Sequence, residues 1–545
     1  MQQQPKFKFK ARDTIGAADA IEDRFFLEEC FVDIGDIDTL ADPNDHRRLI
    51  LGRTGAGKTA LLTKFAEREN VFTMAPESLA LDYISNSTIL PYLLSIGVKL
   101  DIFYRLLWRH VFALEVIKLR FRLESESASK RFFETFVPNF FRNKQHIEAL
   151  EYFRSWGGTF WGETEYRLKE VTTRFESEVE AAVDVGHPGM SGKIKNGEKL
   201  TEEEKTDVVQ RAQKIVNSVQ MKQLSEMIDV LKHCLEGRSL NIVIDRLDEH
   251  WVEDGLRYNL IRALIETIRD FSRVAGLKII IALRYDLLDH VFQTTRDAGF
   301  QEEKYRSLFL GIKWTRVQLT EMLDRRVNFL IRGSYSGAVV SHKDVLNLKL
   351  KTKQKSAIEY ILDRTFMRPR DLIQFFNICI ENATGDPVIS TRVLFAAEGE
   401  YSRDRLLSVC DEWRTDFPNL RDFVEMLRDR TAALSIGSFD EAFCNEFALR
   451  IAVKGCNVED ALSKAANELV ENGNVDGFRR KVLSIFYLTG FIGIKLRNAE
   501  GISRSQDTIN SIHPGDIDED LRIHVHPMFW RALGIVEAKR ELITA

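Results

Sequence analysis

The sequence predicts an α/β core, a parallel sheet between helices, carrying a large helical insertion and a helical lid. Three observations predict it. Short, nearly continuous apolar runs, Leu49-Ile-Leu51, Leu240-Asn-Ile-Val-Ile244 and Lys278-Ile-Ile-Ile-Ala-Leu283, have the composition of strands buried on both faces. Helical periodicity separates the last two, from Leu256 to Val274. The first run passes into a glycine-rich segment, Gly52-Arg-Thr-Gly-Ala-Gly-Lys58-Thr59, before a helical pattern over 59–69.

Taken in order, residues 1–35 form an N-terminal entry segment, and a core with its lid is expected over 36–395. Asp42-Pro-Asn-Asp45 is a turn signal ahead of the first strand. From about 90 to 235 the core is interrupted by a helical, aromatic-rich insertion holding Phe103, Tyr104, Trp108, Phe112 and Phe121, then clusters over 132–141 and 152–161. Aromatics at helical spacing are read first as core; a partner surface and nucleic-acid stacking stay open. Gly186 to Lys199 is expected to be an exposed loop or hinge. A helix starts after Thr201, where Thr-Glu-Glu-Glu has the form of a capping box with acids in the first turn. After about 315 the pattern is helical again. Met367-Arg-Pro-Arg370-Asp371 places proline at the first position of an amphipathic helix. A helical linker domain is expected over 396–470. The last domain, 471–545, pairs a helix (Phe478 to Thr489) with β-like runs, Gly490 to Leu496 and Leu521 to His526.

Composition narrows the function classes. With 545 residues, 44% of them hydrophobic, the chain can bury several cores without disulfides or metals. The 77 basic and 82 acidic residues leave a net charge of −5, so a strongly basic nucleic-acid binder is not indicated, although a local basic face is compatible. Six cysteines with no CxxC fit neither a zinc ribbon nor a disulfide framework, and a reducing cytoplasm is the expected compartment. The first residues contain no apolar h-region, so no signal peptide is expected. Membrane insertion is not expected either: the best candidate, Ile102 to Leu119, is broken by Arg105, Arg109, His110, Glu115 and Lys118.

The strongest chemical signal is Gly52, Arg53, Thr54, Gly55, Ala56, Gly57, Lys58 and Thr59, which fits GxxxxGK[ST]. Glycines let backbone N–H groups curl around a phosphate, and the following helix points its positive end at the same anion. Lys58 would reach the β- and γ-phosphates of ATP, and the Thr59 hydroxyl would ligate Mg²⁺. The bland alternative is a structural glycine turn. The second strand ends in Asp245, which would hold Mg²⁺. Arg246-Leu-Asp248-Glu249 follows, and Asp248 and Glu249 are the candidate acids for polarising an attacking water. The strand before Arg284 would deliver that guanidinium to a γ-phosphate; a salt bridge to Asp286 is the alternative. Arg370 in the first turn of a helix opposes the dipole and calls for an anionic partner, either a nucleotide phosphate or a nearby carboxylate.

Together these segments resemble P-loop NTPases on the AAA+/STAND side of the superfamily. LNIVIDRLDE is similar to the NACHT and STAND acidic pattern, IIIALR to a STAND sensor-1 strand, and MRPRDLIQFFN to the sensor-2 lid helix of Orc/Cdc6-like and KAP-like ATPases. With WTRVQLTEMLDRRV, the whole resembles a bacterial family of Orc/Cdc6-like P-loop ATPases, many of whose members sit in mobile-element or antiphage-defence contexts. The resemblance covers roughly 35–395. It implies ATP and Mg²⁺ as ligands and a C-terminal winged helix over the helix–turn–strand at 478–494. Two departures stand out. Lys58 and Asp245 are 187 residues apart, so an insertion separates the motifs. Arg246 stands where ring-forming motors carry glutamate, which implies slow hydrolysis. Arg479, Arg480 and Lys481 are read first as a solvated face, with DNA contact as the alternative. His513, His524 and His526 lack the further ligands of a metal site.

Three functions compete at this level: a nucleotide-controlled switch acting on a separate effector or sensor protein, an Orc/Cdc6-like DNA-binding ATPase, and a scaffold that retains nucleotide without turnover. A homo-oligomer is compatible with all three.

Overall fold

The computed structural model describes residues 7–75, 97–121, 176–185, 188–195, 201–218, 238–249, 254–296, 301–334, 339–347, 356–454, 460–495, 501–505 and 521–537, with the single residues 93, 95, 173, 235 and 517. They form two compact units. One comprises Asp33–Gly52 and Lys58–Ile312; the other comprises Met1–Val32, Arg53–Gly57 and Lys313–Ala545.

The first unit is built on a five-stranded, all-parallel sheet: β1 (Leu49–Leu51), β2 (Val71–Met74), β3 (Leu240–Ile244), β4 (Leu277–Leu283) and β5 (Phe309–Gly311), in the order β2-β3-β4-β1-β5. Register sets Leu51 beside Leu283 and Ile244 beside Ile281. All seven residues of β4 are buried, as a central parallel strand requires. One of them is Lys278, 2% exposed, whose ammonium donates to the carbonyls of Thr39 (2.9 Å) and Asp42 (2.8 Å) at the end of helix Asp36–Ala41.

Helices Asp254–Phe271 and Asp101–Phe121 pack on each other beside this sheet. The described insertion aromatics Phe103, Tyr104, Trp108 and Phe112 are fully buried, so at these positions the core reading holds. The Trp108 indole donates to the Leu260 carbonyl (2.8 Å). Arg105 pairs with Asp270 (2.7 Å), as does Arg109. The remaining aromatic clusters, over 132–141 and 152–161, lie outside the described residues. Helix Glu202–Ser218 carries the expected capping box: Glu204 accepts from the Thr201 N–H (2.8 Å), and its own N–H reaches the Thr201 hydroxyl (3.3 Å). The stretch expected to be a loop, Gly186 to Lys199, contains a six-residue helix, Met190–Lys195. Asp184 accepts from the Ser191 backbone N–H (2.9 Å) and hydroxyl (2.6 Å), while Met190 and Ile194 bury one face. The other residues of that stretch, apart from 188 and 189, lie outside the described ones.

The second unit is mainly helical. Helices Arg316–Ser334, Ala357–Leu362, Pro369–Asn382 and Thr391–Glu412 form its first part, with the two-residue parallel pair β6 (Leu346–Asn347) and β7 (Ile389–Ser390). The N-terminal segment is strapped to them. Phe9 exchanges backbone bonds with Gly385 and Asp386, and Arg326 donates to the Ile15 carbonyl (2.8 Å) while pairing with buried Asp23. Buried Glu398 accepts from Arg364 (2.5 Å), Tyr360 (2.9 Å) and Arg531 (3.3 Å), tying three helices together.

Farther on, helices Glu441–Val453, Ala461–Asn472 and Val475–Thr489 lie in the chain between β8 (Ala433–Ser435) and β9 (Ile492–Lys495), which with β10 (Arg522–Val525) form an antiparallel sheet ordered β8-β10-β9. Ile523 faces Leu434 on one side and Ile494 on the other. The edge strand β8 comes from the stretch read as a helical linker. Among the described residues no helix is long and apolar enough to cross a membrane.

Candidate phosphate-binding site

Strand order marks one place on the parallel sheet. From β1 the chain crosses to β2 at one edge; from β4 it crosses over β1 to β5 at the other. Neighbouring strands whose connections leave in opposite directions open a crevice at their carboxyl ends, where α/β sheets take ligands. Gly52 follows β1 and Arg284 follows β4, and the Gly52 N–H donates to the Leu283 carbonyl (3.3 Å).

Helix Lys58–Ala66 leaves that edge. The Lys58 ammonium donates to the Gly52 carbonyl (3.0 Å). Burial pushes its pKa down, and the charges of Asp248 and Asp245 pull it back up. Arg284 also lowers it and Asp286 also raises it through their charges. Asp245 is half-buried, and its Oδ1 accepts from the N–H of Arg246 (2.9 Å). Arg246 is left-handed (φ 61°), an arrangement that costs a non-glycine residue about 1–2 kcal/mol. That turn buries Leu247 and leaves Asp248 and Glu249 exposed. Glu249 lies 3.6 Å from Arg246 in an exposed pair. Arg284 meets Asp286: its Nε is 3.1 and 3.0 Å from the two carboxylate oxygens. The salt-bridge alternative weighed for Arg284 is therefore present in the structure.

Arg53–Gly57 belong to the second unit. Gly55 (φ 77°) and Gly57 (φ 96°) are left-handed, as glycines in a tight phosphate-type loop must be. The carbonyls of Thr54, Gly55 and Ala56 each accept a hydrogen bond. Arg368 donates to Thr54, the Arg370 N–H to Gly55 (3.4 Å), and the Trp314 indole to Ala56 (2.9 Å). The N–H groups of Gly55 and Gly57 have no acceptor among the described residues. A trans peptide sets each N–H opposite the carbonyl it follows, so the N–H groups of Gly55 and Gly57 face away from Arg368 and Trp314.

The carboxylate nearest Arg370 in sequence, Asp371, pairs with Arg368. Arg368 precedes proline, is extended (φ −134°, ψ 149°), and folds back over the helix start to reach Asp371 (2.9 Å) and approach Glu412 (3.6 Å). Asp371 is fully buried; Arg405 pairs with it too (3.3 Å), and these two cations hold its pKa below the usual carboxylate range against burial. Arg370 instead lays its methylenes on Gly55 and donates to the Ala18 carbonyl (3.3 Å). Sequence reasoning missed Trp314 and Arg368. The i,i+3 spacing of Arg368 and Asp371 was a usable signal for the second; nothing local marks the first.

Residues 317–410 match the FunZ-associated C-terminal helical domain. The matched stretch runs from helix Arg316–Ser334 into helix Thr391–Glu412 and includes Arg368, Arg370, Asp371 and Arg405. No curated protein matches the chain.

Proposed function

We propose that the chain is an ATP-binding P-loop ATPase of Orc/Cdc6-like kind, a nucleotide-controlled switch with slow turnover that acts on a separate effector or sensor protein. One observation carries the reading. A loop with two left-handed glycines turns its carbonyls into donors from the protein, leaves the Gly55 and Gly57 N–H groups without acceptors, and runs directly into a helix whose first turn carries a desolvated lysine. A row of N–H donors without acceptors, followed in the chain by a cation, is the make-up of an anion cradle.

In this reading the loop N–H groups and Lys58 take the phosphates. The Thr59 hydroxyl and the Asp245 carboxylate, both hard oxygen donors, would hold Mg²⁺, which neutralises phosphate charge when bound. The donor set fits: Asp245 Oδ2 accepts from no described residue. Asp248 and Glu249 orient and polarise water, and Arg284 exchanges Asp286 for a γ-phosphate. Hydrolysis is slow because Arg246 occupies the position next to the strand-end aspartate. The three helices and antiparallel sheet over 433–537 support a winged helix as the reporting module. A role in antiphage defence follows from the resemblance.

The test is thermal unfolding with ATP·Mg²⁺. At 100 times its Kd the ligand stabilises the fold by about 2.7 kcal/mol. Lys58→Ala should remove most of the rise in Tm, and an unchanged rise in that variant refutes the assignment.

A further inference from the structure

We propose that Trp314 and Arg368 are positioning residues that hold the Gly52–Thr59 loop in its anion-binding form by gripping its carbonyl edge; the inference rests on the nucleotide reading above. The loop needs such a grip. Glycine lacks the Cβ that would disfavour peptide rotation, so the Thr54–Gly55 and Ala56–Gly57 peptides can each turn over at little cost. Turning either one would aim a carbonyl where an anion should sit. The two donors hold the peptides that carry this freedom: Arg368 bonds the Thr54 carbonyl, and Trp314 bonds the Ala56 carbonyl at 2.9 Å with its ring 3.9 Å from the position a Gly57 Cβ would take.

Both donors are themselves held. Trp314 directly precedes Thr315, whose hydroxyl caps helix Arg316–Ser334 through the Gln318 N–H (3.2 Å). Arg368 is 3% exposed and fixed by Asp371, which Arg405 shares. The residue before it, Met367, is left-handed (φ 53°), a strain that persists where its surroundings over-determine it. The Thr365 hydroxyl accepts from the Met367 N–H (3.2 Å), and the Asp371 carboxylate from the Phe366 N–H (2.9 Å), so the two backbone N–H groups leading into this strained turn are both bonded. Arg368 lies inside the stretch that matches the FunZ-associated helical domain, and Trp314 lies just before that stretch. Loop conformation and the arrangement of the helices that follow the two donors are thereby one equilibrium. An anion that selects the cradled loop also selects the gripping arrangement of Trp314 and Arg368.

Releasing a grip lowers the fraction of competent loop, and the apparent Kd rises by that fraction. Calorimetric titration of the full chain with ATP·Mg²⁺ reads it. Trp314→Phe keeps a six-membered aromatic ring and removes the five-membered ring with its indole N–H; it should weaken binding at least about 2- to 10-fold, the effect of one neutral hydrogen bond, in a chain that still unfolds cooperatively. Arg368→Gln should weaken it more, about 10-fold or beyond, and Arg368→Lys should restore most of the loss. Indole fluorescence supplies a second readout. ATP·Mg²⁺ should change the emission of the wild type, and the change should be absent from Trp314→Phe.

If folded Trp314→Phe and Arg368→Lys bind as the wild type does, and the emission change survives loss of Trp314, the grip is structural and the inference fails. An affinity loss in Trp314→Phe without any emission change in the wild type also overturns it, because the loop would then not move against its donors. If the wild type itself binds no nucleotide and Lys58→Ala is indistinguishable from it, the nucleotide reading falls, and this inference with it.

Discussion

Replacing Gly55 by alanine tests the packing of the loop directly. Gly55 is left-handed, and an added Cβ would lie 2.6 Å from the Cβ and 2.8 Å from the Cδ of Arg370. Carbon atoms in contact sit about 3.5–4.0 Å apart. The nearer clash is with an atom one bond from the backbone of helix Pro369–Asn382, so rotating the arginine does not relieve it. Two costs add. The left-handed conformation costs alanine about 1–2 kcal/mol, and overpacking costs about 1–3 kcal/mol. Gly55→Ala should therefore destabilise by roughly 2–5 kcal/mol. Gly57→Ala is the control: it is equally left-handed, but its nearest neighbour is Trp314 at 3.9 Å, so only the backbone term of about 1–2 kcal/mol applies. Urea denaturation followed by circular dichroism gives both values from the shift in midpoint. Equal destabilisation of the two variants would refute the contact between Gly55 and Arg370 and leave only backbone strain.

Three further outcomes are expected. Lys278 is pushed down to about 8 by burial, against 10.5 for a free lysine. Its folded pKa is the lower one, so the cost of burying its charge is fully present below pH 8 and is relieved as pH rises toward 10.5. Wild type should gain roughly 3 kcal/mol over Lys278→Met across that window, from 1.36 kcal/mol per pKa unit. The comparison must be between variants, because buried Cys30, raised to about 11, and Cys410, raised to about 12, lower stability in both above pH 9; a pH-independent difference would count against a buried ammonium. Glu249→Gln should keep ATP affinity and slow single-turnover phosphate release at least about tenfold, a barrier change of about 1.4 kcal/mol; unaffected release would move the catalytic acid elsewhere. Gly16→Ala would set a Cβ 2.2 Å from the Asp23 carboxylate and 2.3 Å from Arg326, and forcing that buried pair apart should cost about 3–5 kcal/mol in a denaturation experiment.

What the sequence could show divides along a physical line. Strands β1, β3 and β4 are legible because a strand covered on both faces must be apolar at nearly every position. Edge strand β2, Val71–Met74, buries fully only Met74, and β5 is three residues long and closes on a glycine, so neither leaves a run to read. The insertion's helix Asp101–Phe121 is legible from its period, but its partner, Asp254–Phe271, is chosen by Trp108 reaching Leu260 across 152 positions. The candidate site divides in the same way. Left-handed φ at Gly55 and Gly57 demands glycine, and Lys58 must follow them, so the motif over 52–59 specifies the inner, donor-bearing edge of the loop from local chemistry alone. The carbonyl edge has no local signature, because any residue supplies a carbonyl. It is specified by the donors, and these come from Trp314, 258 positions away, and Arg368, 314 positions away. Arg370 illustrates the error this invites. A cation in the first turn of a helix opposes the dipole, so an anion is expected beside it, and the sequence offers a phosphate. The structure answers the dipole with Asp371 one residue later, spends that carboxylate on Arg368 and Arg405, and turns Arg370 to backbone carbonyl and glycine surface. Of the five guanidinium donors of Arg370, the one bonded to the Ala18 carbonyl is Nε. On the proposed reading, Trp314 and Arg368 already bond the loop carbonyls, so the carbonyl edge would be the more direct route from a bound anion to the helices.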